Sequence, residues 1–180
     1  MTDLLNDLVD EDEDMCESVF NSATEPAISI PDFLRRLHKY THFSNECLVI
    51  AVIYIDRYNL SDPTFSLNRL NIHKLILAAV LLAAKYQDDF YYDNKAFEFA
   101  GGVNALHLHQ LELELFKKLH YNLYVSEEDY HELKSKLYEV YGNSSDNWNK
   151  QLLKFSLSDD PHLCIFIEKY IFYWAFYYHF

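Results

Sequence analysis

The chain has 180 residues, half of them hydrophobic and 17% aromatic, which suits one domain with a sizeable core plus appendages. Its formal net charge of -13 argues against binding to nucleic acid, because contacts to phosphates need clustered lysines and arginines. Only three glycines and four prolines occur, which disfavours a sandwich or barrel built on many tight turns.

Residues 1–29 form a predicted arm ahead of the ordered domain. Residues 10–14 are consecutive aspartates and glutamates, and a like-charge block of this kind usually stays solvated. We therefore expect a disordered acidic arm. The alternative is that Leu4, Leu5 and Leu8 form a short docking helix.

Two helices follow the arm. Apolar residues at helical spacing predict the first over Ile30 to Tyr40. Ser44 suits the N-cap of the second, which runs from Asn45 to about Tyr58. A connector then extends over residues 62–71.

The segment from Leu75 to Asp89 is apolar on every side for about three helical turns, up to Lys85. A helix of this kind belongs in the centre of a domain, and its alanines allow close approach by neighbouring helices. This segment predicts an all-α fold built around one buried helix.

Two further helices are predicted after the central one. The first covers Asn94 to Ala100 and is stopped by Gly101 and Gly102, and the second follows the capping residue Asn104 and runs from Ala105 to about His120. Part of the second alternates like a strand, but its length and its richness in Leu, Glu and Lys favour a helix.

Ser126 begins another predicted helix, and a final helix follows Pro161. The C-terminal run from Leu163 to Phe180 is rich in aromatic residues. A membrane span is not expected there, because Glu168 and Lys169 would each cost about 2.5–3.5 kcal/mol on insertion scales. The run either packs on the domain or forms an exposed patch for a second protein partner.

No phosphate-binding loop, nucleophile elbow or metalloprotease motif occurs, so no catalytic residue, metal or other cofactor is expected. Cys16, Cys47 and Cys164 form no CxxC pair, which excludes a zinc ribbon or a redox motif of that type. The acidic N-terminus does not read as a signal peptide, so we expect an intracellular protein of the cytoplasm, the nucleus or both. An all-helical hydrolase is supported only by the number of His, Asp and Glu residues.

Several motifs follow one another in a fixed order along the chain. They are PDFLRRLHKYT from Pro31, IYIDR from Ile53, LNRLNIHKL from Leu67, AAKY from Ala83 and GGV from Gly101. In this order they resemble the cyclin box, in particular that of the phosphate-pathway (P/U-type) cyclins, over about residues 28–130.

The resemblance implies a five-helix cyclin box over residues 30–125, with the central helix as its third. Residues 126–180 are expected from their own pattern to form additional helices that pack on the box. It also implies a regulatory subunit, not an enzyme, that binds and activates a cyclin-dependent protein kinase in the control of cell division or nutrient signalling. A cyclin-fold adaptor that docks a protein without activating a kinase is the alternative.

The kinase-facing residues of the family can be carried over by motif. The lysine of the AAKY motif matches Lys85, and the glutamate of the leucine-rich motif of the fifth helix matches Glu112. Apolar positions of the same interface match Phe116, Tyr121 and Leu123. Without the resemblance, Lys85 would be a lysine that reaches water from the end of a buried helix.

Overall fold

The computed structural model describes the backbone of residues 18–62, 64–90 and 93–141, and the side chains of these residues up to residue 136. These residues form α-helices and no strands, which confirms the all-α class. The helices are α1 (Ile30–Thr41), α2 (Asn45–Ser61), α3 (Ile72–Gln87), α4 (Asn94–Gly101), α5 (Ala105–Lys118) and α6 (Glu127–Tyr141). The acidic block and the C-terminal aromatic run lie outside the described residues.

Helix α3 is the centre of the fold. Every residue from Leu75 to Ala84 is buried, and the helix contacts α1, α2, α4 and α5. A helix surrounded in this way needs apolar residues on all faces, which is the pattern that the sequence shows. The helix begins at Ile72, directly after the predicted connector, and the buried His73 donates a hydrogen bond from Nε2 to the carbonyl of Ile28 at 2.9 Å.

Polar side chains cap helices α1, α4 and α5. Ser29, Asp93 and Asn104 each accept a hydrogen bond from the backbone N–H three residues further on, at 3.2, 3.2 and 2.8 Å. Ser44 holds the N-cap position of α2 as predicted, but its hydroxyl makes no capping bond and lies 3.2 Å from the sulfur of Cys47. Caps of this kind satisfy backbone donors that the helix leaves unpaired.

The structure resolves the ambiguity over residues 105–120 in favour of a helix. Leucines at helical spacing face the core, whereas Leu106 and Leu113, which a strand pattern would place with them, are exposed. The buried positions are Leu108, Leu111, Leu115 and Leu119. A period of 3.6 therefore describes this segment better than a period of two.

The last residues of the helices differ slightly from the predicted ones. Helix α2 continues to Ser61, since Asp62 and not Tyr58 provides the C-cap. Helix α4 ends at Gly101, and Gly102 adopts φ = 68°, a left-handed conformation that glycine reaches without steric cost.

Residues 18–29, assigned to the arm by composition, lie against the helices. The ring of Phe20 is fully buried and makes an edge-to-face contact with Tyr58 at a centroid distance of 5.4 Å. Lys74 donates a hydrogen bond to the carbonyl of Asn21 at 2.7 Å. The burial of the Phe20 ring holds residues 18–29 against the helices. The negative charge of the arm gave no indication of this contact.

Helix α6 packs on α2 and begins after Ser126, whose hydroxyl accepts a hydrogen bond from the backbone of Asp129 at 3.0 Å. Leu133 is buried. The part of the predicted C-terminal extension that the structure describes is therefore joined to the box through α2.

Candidate protein-binding surface

Lys85 and Glu112 form an ion pair where α3 and α5 reach the surface. The Nζ atom of Lys85 lies 2.6 Å from Oε1 of Glu112, and the side chains are 24% and 17% exposed. Lys85 is the basic residue of the last turn of α3, where a positive charge is favourable to the helix dipole. The pair leaves two ammonium protons and the second carboxylate oxygen available, so a docked chain can still bind to it.

An apolar surface continues along α5 from this ion pair. Phe116 lies one helical turn after Glu112 and thus on the same face. Its ring makes an edge-to-face contact with Tyr121 at a centroid distance of 5.1 Å. Tyr121 is 63% exposed, so its ring is supported on one side and accessible on the other.

The chain reverses direction directly after α5 through two residues in the left-handed region. His120 has φ = 52° and Tyr121 has φ = 60°, and neither is a glycine. The backbone N–H of Tyr121 donates to the carbonyl of Phe116 at 3.0 Å, which holds the turn. Such conformations are disfavoured for residues with a side chain and persist only where the surroundings hold them.

Two side chains of α2 hold the segment that follows this turn. The hydroxyl of Tyr54 donates a hydrogen bond to the carbonyl of Leu123 at 2.7 Å. Arg57 donates to the carbonyl of Tyr124 at 2.9 Å and lies 3.5 Å from the carboxylate of Asp129. Burial raises the pKa of the Tyr54 hydroxyl, so it remains a donor throughout the physiological pH range. We call the two hydrogen bonds from Tyr54 to Leu123 and from Arg57 to Tyr124 the α2 clamp.

A carboxylate joins the end of α3 to the start of α2. Asp88 accepts a hydrogen bond from the backbone N–H of Ser44 at 3.0 Å and another from the sulfur of Cys47 at 3.4 Å. Burial raises the pKa of the Cys47 thiol to about 12, so the thiol stays protonated and can donate its proton to Asp88. This connection fixes the end of α3, three residues after Lys85.

A second ion pair joins the end of α5 to the end of α2. Lys118 lies 2.6 Å from the carboxylate of Asp62, and the hydrogen bond from Lys118 is the main cause that lowers the pKa of Asp62 to about 2. Both helices that carry the candidate surface are thus tied to α2.

The candidate residues of the sequence analysis come together in the structure. Lys85 pairs with Glu112, Phe116 contacts Tyr121, and Leu123 is held through its carbonyl. Their role in binding stays a prediction. The sequence analysis did not anticipate the α2 clamp, although its arginine lies within the IYIDR motif.

Exposed aromatic residues at the end of α3 were also missed. Tyr86 follows Lys85 directly and is 51% exposed, and Phe90 is 94% exposed. Large exposed apolar groups near a polar pair are typical of a protein interface. The signal was present in the sequence, since both residues come after the last buried turn of the apolar helix.

The described part of the chain offers no other kind of site. Among its side chains, which extend to residue 136, no group of three or more His, Cys, Asp and Glu is arranged to hold a metal ion. None of the described helices combines the length and the apolar character that crossing a membrane requires.

Comparison with known proteins adds evidence from the sequence as a whole. The family model described as Cyclin matches residues 6–123. Cyclin-U4-1 of Arabidopsis thaliana is 36% identical over 109 residues, which cover 61% of this chain and 54% of the relative. Cyclin-U3-1 of the same plant is 41% identical over 114 residues, covering 63% of this chain and 51% of the relative.

A third relative comes from rice. Cyclin-P4-1 of Oryza sativa subsp. japonica is 34% identical over 109 residues, covering 61% of this chain and 51% of the relative. The matched region spans about half the length of these curated relatives. The expected resemblance to P/U-type cyclins is confirmed, and the chain belongs to the cyclin family.

Proposed function

We propose that this chain binds a cyclin-dependent protein kinase and activates it through the surface at the ends of α3 and α5. The observation that carries the proposal is the half-buried ion pair between Lys85 and Glu112, flanked by the apolar face of Phe116 and Tyr121. Membership of the cyclin family supports a regulatory role of this kind. The proposed partner places the site of action inside the cell.

The chemistry of the surface suits a docked helix or loop. Lys85 has donors and Glu112 has acceptors that the ion pair leaves unused, and both match open backbone groups of a partner segment. Tyr121 and Leu123 provide apolar contact beside these polar groups. In such an interface the desolvated charged pair gives specificity, and the loss of one charge leaves the other unpaired at a cost of several kcal/mol.

Activation follows from a difference in affinity for two forms of the kinase. An active protein kinase needs the lysine of its third strand paired with the glutamate of its αC helix. A rigid surface that binds the active form more tightly shifts the population toward it. A shift from about 1:99 to about 99:1 requires roughly 10⁴-fold tighter binding to the active form. The chain itself supplies no catalytic group in this mechanism.

The test compares kinase binding by the wild-type chain and by the variant Lys85→Glu plus Glu112→Lys. Each immobilised protein is exposed to cell lysate, the bound kinases are identified by mass spectrometry, and the affinity for the recovered kinase is then measured with purified proteins. The charge-swapped pair keeps its internal attraction but presents opposite charges to the partner, so we expect at least about tenfold weaker binding.

The matched control swaps another ion pair, Lys136 with Glu132 on α6, where both side chains are well exposed. This variant should bind the kinase like the wild type. Equal kinase recovery by both swapped variants would contradict the proposed surface. Normal kinase binding without a gain in substrate phosphorylation would favour the adaptor function over activation.

A further inference from the structure

The turn after α5, which presents Tyr121 and Leu123, is unfavourable for its own residues. His120 and Tyr121 lie in the left-handed region, at φ = 52° and φ = 60°, although each carries a side chain. Glycine is the residue that reaches this region without steric cost, and Gly102 does so at the end of α4. Because the residues of the turn disfavour its conformation, contacts from elsewhere in the fold must hold it.

The α2 clamp provides such contacts. Tyr54 and Arg57 donate to the carbonyls of Leu123 and Tyr124, at 2.7 and 2.9 Å. Both acceptors are backbone atoms directly after the left-handed residues, so the clamp fixes the path of the chain. The ring of Tyr121 takes no part in the clamp and is 63% exposed. The clamp can therefore hold the turn while this ring stays accessible to a partner.

Helix α6 supplies a second acceptor for Arg57. Nη1 of Arg57 donates to the carbonyl of Tyr124, while Nη2 lies 3.5 Å from Oδ2 of Asp129. The planar fork of a guanidinium group can serve two acceptors in fixed directions. The backbone N–H of Asp129 is itself bound to the hydroxyl of Ser126 at 3.0 Å. The match to the family model ends at residue 123, so this support for the turn comes from beyond the matched region.

We propose that Tyr54 and Arg57 are positioning residues for kinase binding, and that Asp129 of α6 orients Arg57 in this role. The inference rests on the proposed function, because Tyr121 and Leu123 belong to the proposed kinase surface. The clamp acts through the turn, which it keeps in the conformation that the kinase binds. A chain whose turn is formed only part of the time binds with an apparent affinity reduced by the fraction formed.

This role predicts a particular pattern of binding rates. Loss of the clamp lowers the fraction of molecules whose turn is formed, so the association rate falls with that fraction. The dissociation rate changes little, because the complex still contains the formed turn. Loss of a direct contact acts mainly on the dissociation rate instead. The two rates therefore separate a positioning residue such as Arg57 from a contact residue such as Tyr121.

The test measures both rates by surface plasmon resonance, with the full chain and the purified kinase. Arg57→Met should slow association at least about fivefold and leave dissociation within about twofold of the wild type. The matched control is Lys74→Met, which also removes a positive charge and a hydrogen bond to a backbone carbonyl, that of Asn21. Lys74 lies at the opposite end of α3 from Lys85, so this variant should keep both rates within about twofold of the wild type.

A substitution in the turn separates positioning from a general loss of stability. His120→Gly should favour the left-handed conformation where the clamp is weakened. Added to Arg57→Met, it should speed association at least about threefold, whereas in the wild type it should change the rate less than about twofold, because the clamp already holds the turn. A loss of stability elsewhere in the fold would not be corrected at this position.

The contribution of α6 is tested with two substitutions in its first turn. Asp129→Asn removes the charge beside Arg57, and Glu128→Gln removes a charge that has no contact with Arg57 in the structure. Asp129→Asn should slow association about twofold to threefold, and Glu128→Gln should leave it unchanged. Equal association rates in these two variants would exclude Asp129 from the mechanism.

The inference is overturned if Arg57→Met associates with the kinase as fast as the wild type. Faster dissociation at an unchanged association rate would make Arg57 a contact residue, and the absence of rescue by His120→Gly would make its effect a general loss of stability. Amide exchange in residues 121–125 of the free chain needs no kinase, and unchanged exchange in Arg57→Met would also overturn the inference. Failure of the proposed function would appear differently, as equal binding by the wild type and the Lys85–Glu112 charge swap while exchange in Arg57→Met is still faster.

Discussion

The ion pair between Lys85 and Glu112 should stabilise the free protein as well as face a partner. The test is a double-mutant cycle with Lys85→Met, Glu112→Gln and the two combined. The Nζ to Oε1 distance is 2.6 Å and the side chains are 24% and 17% exposed, so the pair lies between a surface pair and a buried one. Each single change should destabilise the protein, because it leaves the other charge half-buried and without its partner.

The magnitude follows from the burial. Two unit charges about 4 Å apart attract by roughly 4 kcal/mol at an effective dielectric constant of about 20, and desolvation offsets much of this. Exposed pairs give about 0.2–1 kcal/mol in such cycles, and the loss of one member of a buried pair costs about 3–5 kcal/mol. We therefore expect a coupling of about 1.5 kcal/mol and a loss of about 2 kcal/mol in each single variant.

The assay is urea unfolding of the four proteins, followed by circular dichroism. With a denaturant slope of about 2 kcal/mol/M, each single variant should lower the midpoint by about 1 M. The control cycle uses Lys136 and Glu132, whose side chains are 59% and 65% exposed, and should give a coupling below about 0.5 kcal/mol. A coupling for the first pair no larger than that of the control would refute the reasoning.

Three further changes test other contacts of the fold. Gly101→Ala places a Cβ in steric overlap with the buried Leu77 side chain, so it should lower the free energy of unfolding in urea by about 1–3 kcal/mol. The double variant with Leu77→Ala should lose less stability than the two single variants together, because the overlap is relieved. Tyr54→Phe removes the hydrogen bond to the Leu123 carbonyl, should cost about 1–2 kcal/mol and should speed amide exchange in residues 121–125; unchanged exchange would contradict the α2 clamp. Burial, followed by the nearby charge of His42, lowers the pKa of His38 below 6.5. The unfolded chain therefore binds a proton at His38 more readily than the folded chain does. The contribution of His38 to the free energy of unfolding is complete above about pH 7 and is lost as the pH falls through the folded pKa. His38→Gln should reduce the loss of stability measured between about pH 8 and pH 5.

Local patterns in the sequence were sufficient to predict the central helix and the caps at two helix ends. The all-round apolar segment predicted a central helix, and α3 is buried at every position from Leu75 to Ala84. Asn104 was predicted as a cap and makes the capping hydrogen bond. Gly102 was predicted as a stop and takes the left-handed conformation. These features depend on neighbours within about one helical turn, which is why composition and spacing reveal them.

Contacts between distant segments were decided by the tertiary structure. The arm was assigned by its average charge, yet Phe20 is buried against Tyr58 because the end of α2 offers an apolar surface to it. The two hydrogen bonds of the α2 clamp join residues that lie 69 and 67 positions apart in the sequence, and no periodic pattern predicts a contact over such a distance. A hydrogen bond from Arg36 to the carbonyl of Phe99 likewise joins residues that are 63 positions apart in the sequence.

The ion pair between Lys85 and Glu112 was predictable from the sequence only in part. The sequence by itself determined that a lysine ends the buried helix, that a glutamate lies on a leucine-rich helix, and that both match positions of the cyclin motif. Only the packing of α3 against α5 brought their charged atoms to 2.6 Å across 27 residues of chain. A charged group keeps its full hydration until packing removes it, so burial, and with it the strength of the pair, is a property of the fold.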